Sequence, residues 1–143
     1  MNRVTAPYLV EDMKLLPFIL LFMAAVHLLA MDRFSALSML ESGDNDQAQG
    51  RGGELSRYQF SPAVIAEFKI DATRLQDPDY ARSQAVRVMN DRCTAFDQQY
   101  HRPPTDVEFY MLWHRPDRVF HPLPRELERA MRFANLVSRQ DTK

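Results

Sequence analysis

Glu41 is the residue of this chain whose position most suggests chemistry. It ends an apolar helical segment, and all four glycines of the chain lie in the loop that follows it and leads to Gln59. The C-terminal end of a helix is its negative pole, and apolar surroundings penalise a charge, so both effects favour a protonated carboxyl group. A general acid requires such a proton near neutral pH. The glycine loop would leave room for an extended polymer beside Glu41, and we expect Gln59 to hydrogen-bond a substrate amide or hydroxyl.

Short motifs around this acid follow a known pattern. Glu41-Ser42 closes the helix, and the segment Arg57-Tyr58-Gln59-Phe60-Ser61-Pro62 comes after the loop. These motifs resemble the catalytic segment of the lysozyme-like superfamily, that of soluble lytic transglycosylases and goose-type lysozymes. There a Glu-Ser pair ends a helix, and a Tyr/Met-Gln-Ile-x-Pro-like segment follows a polar loop. The sequence FYMLWHRPDRVFHP, residues 109–122, is similar to a later family motif, Ala-Tyr/Trp-Asn-Ala-Gly-Pro-x-x-Val.

The resemblance covers residues 33–120 and implies a lysozyme-like helical domain. It implies cleavage of the β-1,4 bond between N-acetylmuramic acid and N-acetylglucosamine in peptidoglycan strands. Glu41 would protonate the glycosidic oxygen and, in transglycosylase chemistry, then act as the base on the muramoyl 6-hydroxyl. It implies no cofactor and no metal. The residues that it assigns to substrate binding are Ser42, Tyr58, Gln59, Tyr110, Trp113 and His114.

The later motif departs from the family pattern, although Trp113 fits its aromatic position. His114 stands where the family has Asn, and Arg115-Pro116 replaces a small Ala-Gly pair. A bulky Arg115 alters the side of the cleft that would bind substrate. One alternative is therefore a lysozyme-like domain that binds cell-wall glycan, or serves a structural role, without cleaving it. Another is a membrane-anchored helical protein with no glycan role.

Hydrolysis of the usual kind needs a second carboxyl group, about 5–9.5 Å from the first depending on the stereochemistry. The nearest candidates in sequence are Asp44, Asp46 and Glu54, and each is more simply interpreted as a solvated loop residue. The absence of an outstanding second acid favours transglycosylase chemistry over hydrolysis.

The elements that must position these residues are helices. From residue 32 onward the pattern predicts a mainly α domain, with at most a small β-hairpin near residues 50–60. The first helix ends at Glu41–Gly43, and later helices begin at Ser61-Pro62, Asp77-Pro78 and Leu123-Pro124. Another begins at a capping box formed by Thr105 and Glu108.

Apolar stripes predict which faces of these helices are buried. The arginines at 82, 87 and 92, and those within 125–132, are predicted to lie on solvated faces. The buried residues that the stripes predict are Phe34, Leu37, Met39 and Leu40 in the first helix; Ala81, Ala85, Val88, Met89, Cys93, Phe96 and Tyr100 in the long helix; and Leu127, Ala130, Met131, Ala134 and Val137 in the last.

Residues 15–31 form an almost unbroken apolar run that is short for a membrane span and close to a secretory signal. We predict a signal peptide or N-terminal membrane anchor over residues 1–31 and the helical domain over residues 32–143. A buried core helix is the third interpretation. The acidic flank before the run suggests either that translation begins at Met13 or that the first twelve residues are an extension ahead of the signal. The protein is then exported, to the periplasm or the cell exterior.

Composition excludes several classes of function. The net charge of −1 argues against a nucleic-acid-binding protein. The single Cys93 excludes an internal disulfide framework and a cysteine-based zinc cluster. The histidines at 101, 114 and 121 with Asp117 lack the spacing of a metal site. We expect a monomer whose partner is a peptidoglycan strand.

Overall fold

The structure is a computed structural model that describes residues 31–138. The predicted signal peptide or anchor lies outside the described residues except for Met31. Within residues 31–138, no helix is both long and apolar enough to cross a membrane.

Five α-helices make up this domain, and the prediction of a mainly α fold is confirmed. They are α1 (Arg33–Ser42), α2 (Pro62–Glu67), α3 (Pro78–Tyr100), α4 (Asp106–His114) and α5 (Pro124–Val137), with 3₁₀ turns at Ala72–Arg74 and Pro116–Arg118. No strand forms within the described range. Isolated antiparallel bridges join Leu55 to Gln49 and to Phe60. The small hairpin allowed near residues 50–60 is therefore present only as these single bridges around a turn.

The predicted helix starts are confirmed by their caps. The Ser61 hydroxyl accepts a hydrogen bond from the N–H of Val64, and the Asp77 carboxylate accepts from two N–H groups in the first turn of α3. At the start of α4, Thr105 and Glu108 form the reciprocal capping box. A cap satisfies N–H groups that have no partner inside the helix, so the helix begins where the cap stands.

Helix α4 is the centre of the core. Its five residues 109–113 are all buried, and it packs against α3 and α5. The rings of Phe109 and Phe133 stack with their centroids 5.7 Å apart, which fixes the face that α5 turns inward. Burial of one such side chain contributes roughly 1.5–3 kcal/mol.

The predicted stripe of α5 is confirmed at Ala130 and wrong at Leu127 and Met131. Leu127 and Met131 are 40% and 54% exposed, whereas Phe133, which was not predicted, is fully buried beside Ala130. The helix carries apolar residues on more than one face, and the large Phe133 ring fills the core better than the flexible Met131 side chain. The prediction is also wrong for Met39 on α1 and for Tyr100 at the end of α3, both of which are exposed.

The prediction that Arg92 lies on a solvated face is also wrong. Its side chain is 12% exposed, and its guanidinium donates to the carbonyl oxygens of Leu112 at 2.6 Å and Trp113 at 3.1 Å. Burial lowers the pKa of this guanidinium from its ordinary value. Arg92 thus satisfies two carbonyls at the C-terminal end of α4 and fixes the end of the helix that carries Trp113 and His114.

Candidate active site

A cleft of about 400 Å³ lies beside the C-terminal end of α1. It is bordered by the end of α1, the loop that follows it, the start of α2, the end of α4 and the side of α5. The residues that line it are Glu41, Glu54, Gln59, Ser61, Val64, Trp113, His114, Arg115 and Arg129.

Glu41 reaches this cleft because α1 ends sharply just after it. Gly43 adopts a left-handed backbone conformation with φ +66°, and its N–H bonds to the carbonyl of Met39 at 2.9 Å. Only glycine enters this conformation without a steric penalty, so the chain turns away and leaves the carboxyl group facing the cleft. The Glu41 side chain is 7% exposed.

Two donors from distant helices hold the Glu41 carboxyl group. The Tyr110 hydroxyl of α4 donates to Oε1 at 2.7 Å, and Nη2 of Arg129 on α5 donates to Oε2 at 3.1 Å. Burial raises the pKa of Tyr110 well above its ordinary value, and the neighbouring carboxylate raises it further, so this hydroxyl keeps its proton. The guanidinium of Arg129 thus forms an ion pair with Glu41.

Gln59 lies across the cleft from Glu41 on a strained turn. Its φ is +52°, and its side-chain amide donates to the Ser56 carbonyl at 2.9 Å. The Gln59 and Glu54 side chains cover Gly50 so closely that a Cβ at position 50 would lie 2.8 Å from the Gln59 Oε1 and 2.1 Å from a Glu54 oxygen. A side chain at position 50 would therefore displace the ends of these two polar side chains.

The predicted binding residues Ser42 and Tyr58 do not line the cleft. The Ser42 hydroxyl donates to the Arg57 carbonyl at 2.9 Å and accepts from the N–H of Asn45 at 3.0 Å, so it ties the end of α1 to the returning loop. Tyr58 is 1% exposed and offers no ring face to a ligand. Its carbonyl accepts a hydrogen bond from the indole N–H of Trp113 at 3.1 Å. Both residues therefore stabilise the elements that border the cleft, without lining it themselves.

The three predicted residues of α4 differ in their access to the cleft. Tyr110 is fully buried, so only its bond to Glu41 connects it to the site. Trp113 is 8% exposed and presents one edge, while its ring packs against Phe60 with centroids 5.2 Å apart. His114 is exposed and stacks on the Tyr110 ring at 5.6 Å. His114 and Trp113 are therefore the two that can meet a ligand.

Of the three candidate second acids, only Glu54 lines the cleft. The Asp46 carboxylate is engaged by Arg57, with 2.9 Å between Nη2 and Oδ2, and this hydrogen bonding lowers the pKa of Asp46. Asp44 is exposed at the loop surface and accepts from the Ser38 hydroxyl. Glu54 accepts from the N–H of Gly52 at 2.9 Å.

Arg129 is the site residue that the sequence analysis missed. The sequence analysis placed it among the arginines of residues 125–132 that were predicted to lie on a solvated face. Phe133 follows it by four residues, so the two share a helix face, and a stripe that contained Phe133 would have placed Arg129 beside the core. Its partner Glu41 lies 88 residues away, and no local pattern signals that contact.

No group of three His, Cys, Asp or Glu side chains in residues 31–138 has the arrangement of a metal site.

Comparison of the chain with protein-family models, with curated proteins and with solved structures finds no match. The resemblance to the lysozyme-like superfamily therefore remains a prediction from motifs, and the function is inferred from the cleft.

Proposed function

We propose that this protein is a peptidoglycan-cleaving glycosidase that acts on the β-1,4 bond between N-acetylmuramic acid and N-acetylglucosamine. Glu41 is its general acid and base, in the manner of a lytic transglycosylase. The observation that supports this most is the carboxyl group of Glu41, 7% exposed at the end of a helix, which faces a cleft of about 400 Å³. Gln59 and His114 border the same cleft with polar groups suited to sugar amides and hydroxyls, and Trp113 borders it with an aromatic ring.

In this chemistry one carboxyl group suffices. Glu41 gives its proton to the glycosidic oxygen as the bond from that oxygen to C1 of the muramoyl ring breaks. The resulting carboxylate then takes the proton of the muramoyl 6-hydroxyl, whose oxygen bonds to C1 and closes the anhydro ring. No water is consumed, and Glu41 recovers its proton. Such acid and base assistance contributes about 10²–10⁴-fold in rate.

Tyr110 supports this role by holding the acid in place. Its hydroxyl is fixed by the packing of α4, and the 2.7 Å bond to Oε1 leaves Oε2 as the oxygen that exchanges the proton. That oxygen is the one that contacts Arg129, so Arg129 must move or be redirected when Glu41 acts as an acid.

Hydrolysis instead of anhydro formation would require a base for water. Glu54 is the candidate that lines the same cleft as Glu41. Reducing-end products would therefore direct attention to Glu54 rather than to Asp44 or Asp46.

A second candidate function is a domain that binds the glycan without cleaving it. The ion pair between Glu41 and Arg129 favours it, because a carboxylate held by a cation is a poor proton donor. Arg115 favours it as well, since its side chain borders the cleft where the family pattern has a small residue.

The proposal extends to location and partners. Peptidoglycan lies outside the cytoplasmic membrane, so the protein would be exported and would meet glycan strands as a monomer without a cofactor. Its N-terminal residues 1–31 would serve as signal peptide or anchor.

The test is digestion of purified peptidoglycan by the full-length chain, with Glu41→Gln beside it and the products identified by mass spectrometry. Glu128→Gln is the matched control, because Glu128 is an exposed glutamate on α5 that lies outside the cleft. We expect anhydro-muramoyl products from the unmodified chain and the control, and a loss of about 10²–10⁴-fold in Glu41→Gln.

Binding of the strands without product from any of the three proteins would instead support the glycan-binding function. If the unmodified chain and Glu41→Gln release equal amounts of product, Glu41 is not the acid and the proposal is wrong.

A further inference from the structure

Arg129 uses one of its guanidinium nitrogens for hydrogen bonds within residues 31–138. Its Nη2 makes both of its hydrogen bonds within residues 31–138, to Glu41 Oε2 at 3.1 Å and to the Leu40 carbonyl at 3.2 Å. The side chain is 39% exposed, and it lines the cleft. A guanidinium carries five N–H donors in a planar fork that matches a carboxylate. Arg129 therefore has donors to offer a ligand.

Arg115 supplies the second guanidinium of the cleft, and more of its N–H donors are already occupied. Arg115 engages both oxygens of Asp117, with Nε at 3.0 Å and Nη2 at 2.9 Å, and its Nη1 lies 3.8 Å from Glu126. Two carboxylates thus surround Arg115, whereas one carboxylate contacts Arg129 through a single nitrogen. An incoming anion would find its best partner at Arg129.

We infer that Arg129 recognises a carboxylate carried by the substrate strand and that this contact releases Glu41 to act as the acid. This inference rests on the proposed function and adds the substrate class to it: glycan strands with a free carboxylate, such as that of a muramoyl lactyl group or its peptide. Neutral strands of the same backbone are poorer substrates.

The geometry of the pair explains the release. Nη2 of Arg129 contacts Oε2 of Glu41 at 3.1 Å, and Oε2 is the oxygen that must exchange the proton, because Oε1 accepts from Tyr110. A substrate carboxylate that draws the guanidinium of Arg129 toward itself leaves Oε2 free to face the glycosidic oxygen.

Within residues 31–138, no other cation takes the place of Arg129 in direct contact with the Glu41 carboxyl group. From α4, the Tyr110 hydroxyl keeps its proton and donates to the carboxyl group. His114 and Arg115 border the cleft at the end of α4, and Glu54 borders it from the loop. Arg129 is the cation that is in direct contact with the acid.

The experiment compares two forms of one substrate. Soluble glycan strands are used as purified, or after all their carboxylates have been converted to amides, and kcat/KM is measured for each with the full-length chain. We expect the unmodified chain to prefer the native strands about tenfold, the value of one charge-assisted hydrogen bond.

Arg129→Gln should abolish this preference, and Arg129→Lys should retain part of it. Arg132→Gln is the matched control, since Arg132 lies on the same helix, is 68% exposed and pairs with Glu128. Thermal unfolding checks that each variant is folded, and a fold-disrupting Arg129→Gln would leave Arg129→Lys to decide.

Equal cleavage of the two strands by the unmodified chain overturns this inference while leaving the proposed function intact. The same conclusion follows if a folded Arg129→Gln keeps the full preference. Cleavage of neither strand by the unmodified chain is a different result, because it removes the proposed function and this inference with it.

Discussion

Two glutamates of this protein are paired with arginine in opposite ways. At the start of α4, Glu108 accepts from both Nη atoms of Arg102, at 2.6 and 2.8 Å, and from the N–H and hydroxyl of Thr105. In the cleft, Glu41 accepts from Tyr110 and, through one nitrogen only, from Arg129. Both side chains are nearly buried, at 12% and 7% exposure.

The difference separates an acid that supports structure from one that is available for chemistry. Glu108 has four donors, and its pKa falls from 4.5 to about 2, first because of the hydrogen bonds from Arg102. Its charge is fixed, and it completes a helix cap. Glu41 has fewer donors, one of which belongs to a partly exposed side chain, and it faces an open cleft. A carboxyl group with few hydrogen-bond partners can exchange one of them when a ligand arrives.

The strongest way to break this comparison is Glu108→Ala. We expect a loss of about 2 kcal/mol in the free energy of unfolding, because hydrogen bonds to a charged group disappear and the Thr105 N–H loses its partner. Cleavage per folded molecule should not change. Urea unfolding with a parallel activity assay measures both. A fall in activity without a fall in stability would mean that Glu108 acts in the site.

Acid should lower the free energy of unfolding by protonating Glu108. The pKa of Glu108 in the folded protein, about 2, lies below the ordinary value of 4.5. Its contribution is therefore complete above pH 4.5 and is lost as the pH falls toward 2. We expect a loss of about 1–2 kcal/mol over this window, after allowing for the solvent around Arg102. Unfolding curves of Glu108→Gln should depend less on pH here, and an unchanged dependence would contradict the assignment.

Tyr110→Phe sharpens the comparison by removing one of the two donors of Glu41. The ring and its packing remain, so we expect a loss of about 1 kcal/mol in stability from the missing hydrogen bond. Cleavage should fall as well, because the carboxyl group is no longer held at Oε1. Thermal unfolding and peptidoglycan digestion measure the two effects. Full activity in this variant would show that Tyr110 does not position the acid.

Among these substitutions, we expect Glu128→Gln to have the smallest effect on stability. Glu128 and Arg132 form an ion pair one turn apart on α5, with 2.9 Å between Oε1 of Glu128 and Nη2 of Arg132. The two side chains are 64% and 68% exposed. Such pairs contribute about 0.3–0.5 kcal/mol, so the variant should differ from the unmodified protein by no more than that. A larger loss in urea unfolding would indicate that α5 depends on surface charge more than its packing suggests.

The sequence by itself determined where the helices begin. Ser61-Pro62, Asp77-Pro78 and the box from Thr105 to Glu108 were identified correctly, because a cap involves residues within three positions of one another. Local chemistry also determined that Glu41 ends a helix, since Gly43 two residues later supplies the turn. The mainly α fold follows from these local signals together with the apolar periodicity.

Only the tertiary structure decided which side chains meet Glu41. Tyr110 and Arg129 lie 69 and 88 residues away, and each arrives on a helix whose rotation is set by core packing. For α5 the sequence allowed more than one inward face, and the stacking of Phe133 on Phe109 selected the one that brings Arg129 to the cleft. The candidate acid was therefore visible in the sequence, whereas its partners depend on long-range packing that no short motif encodes.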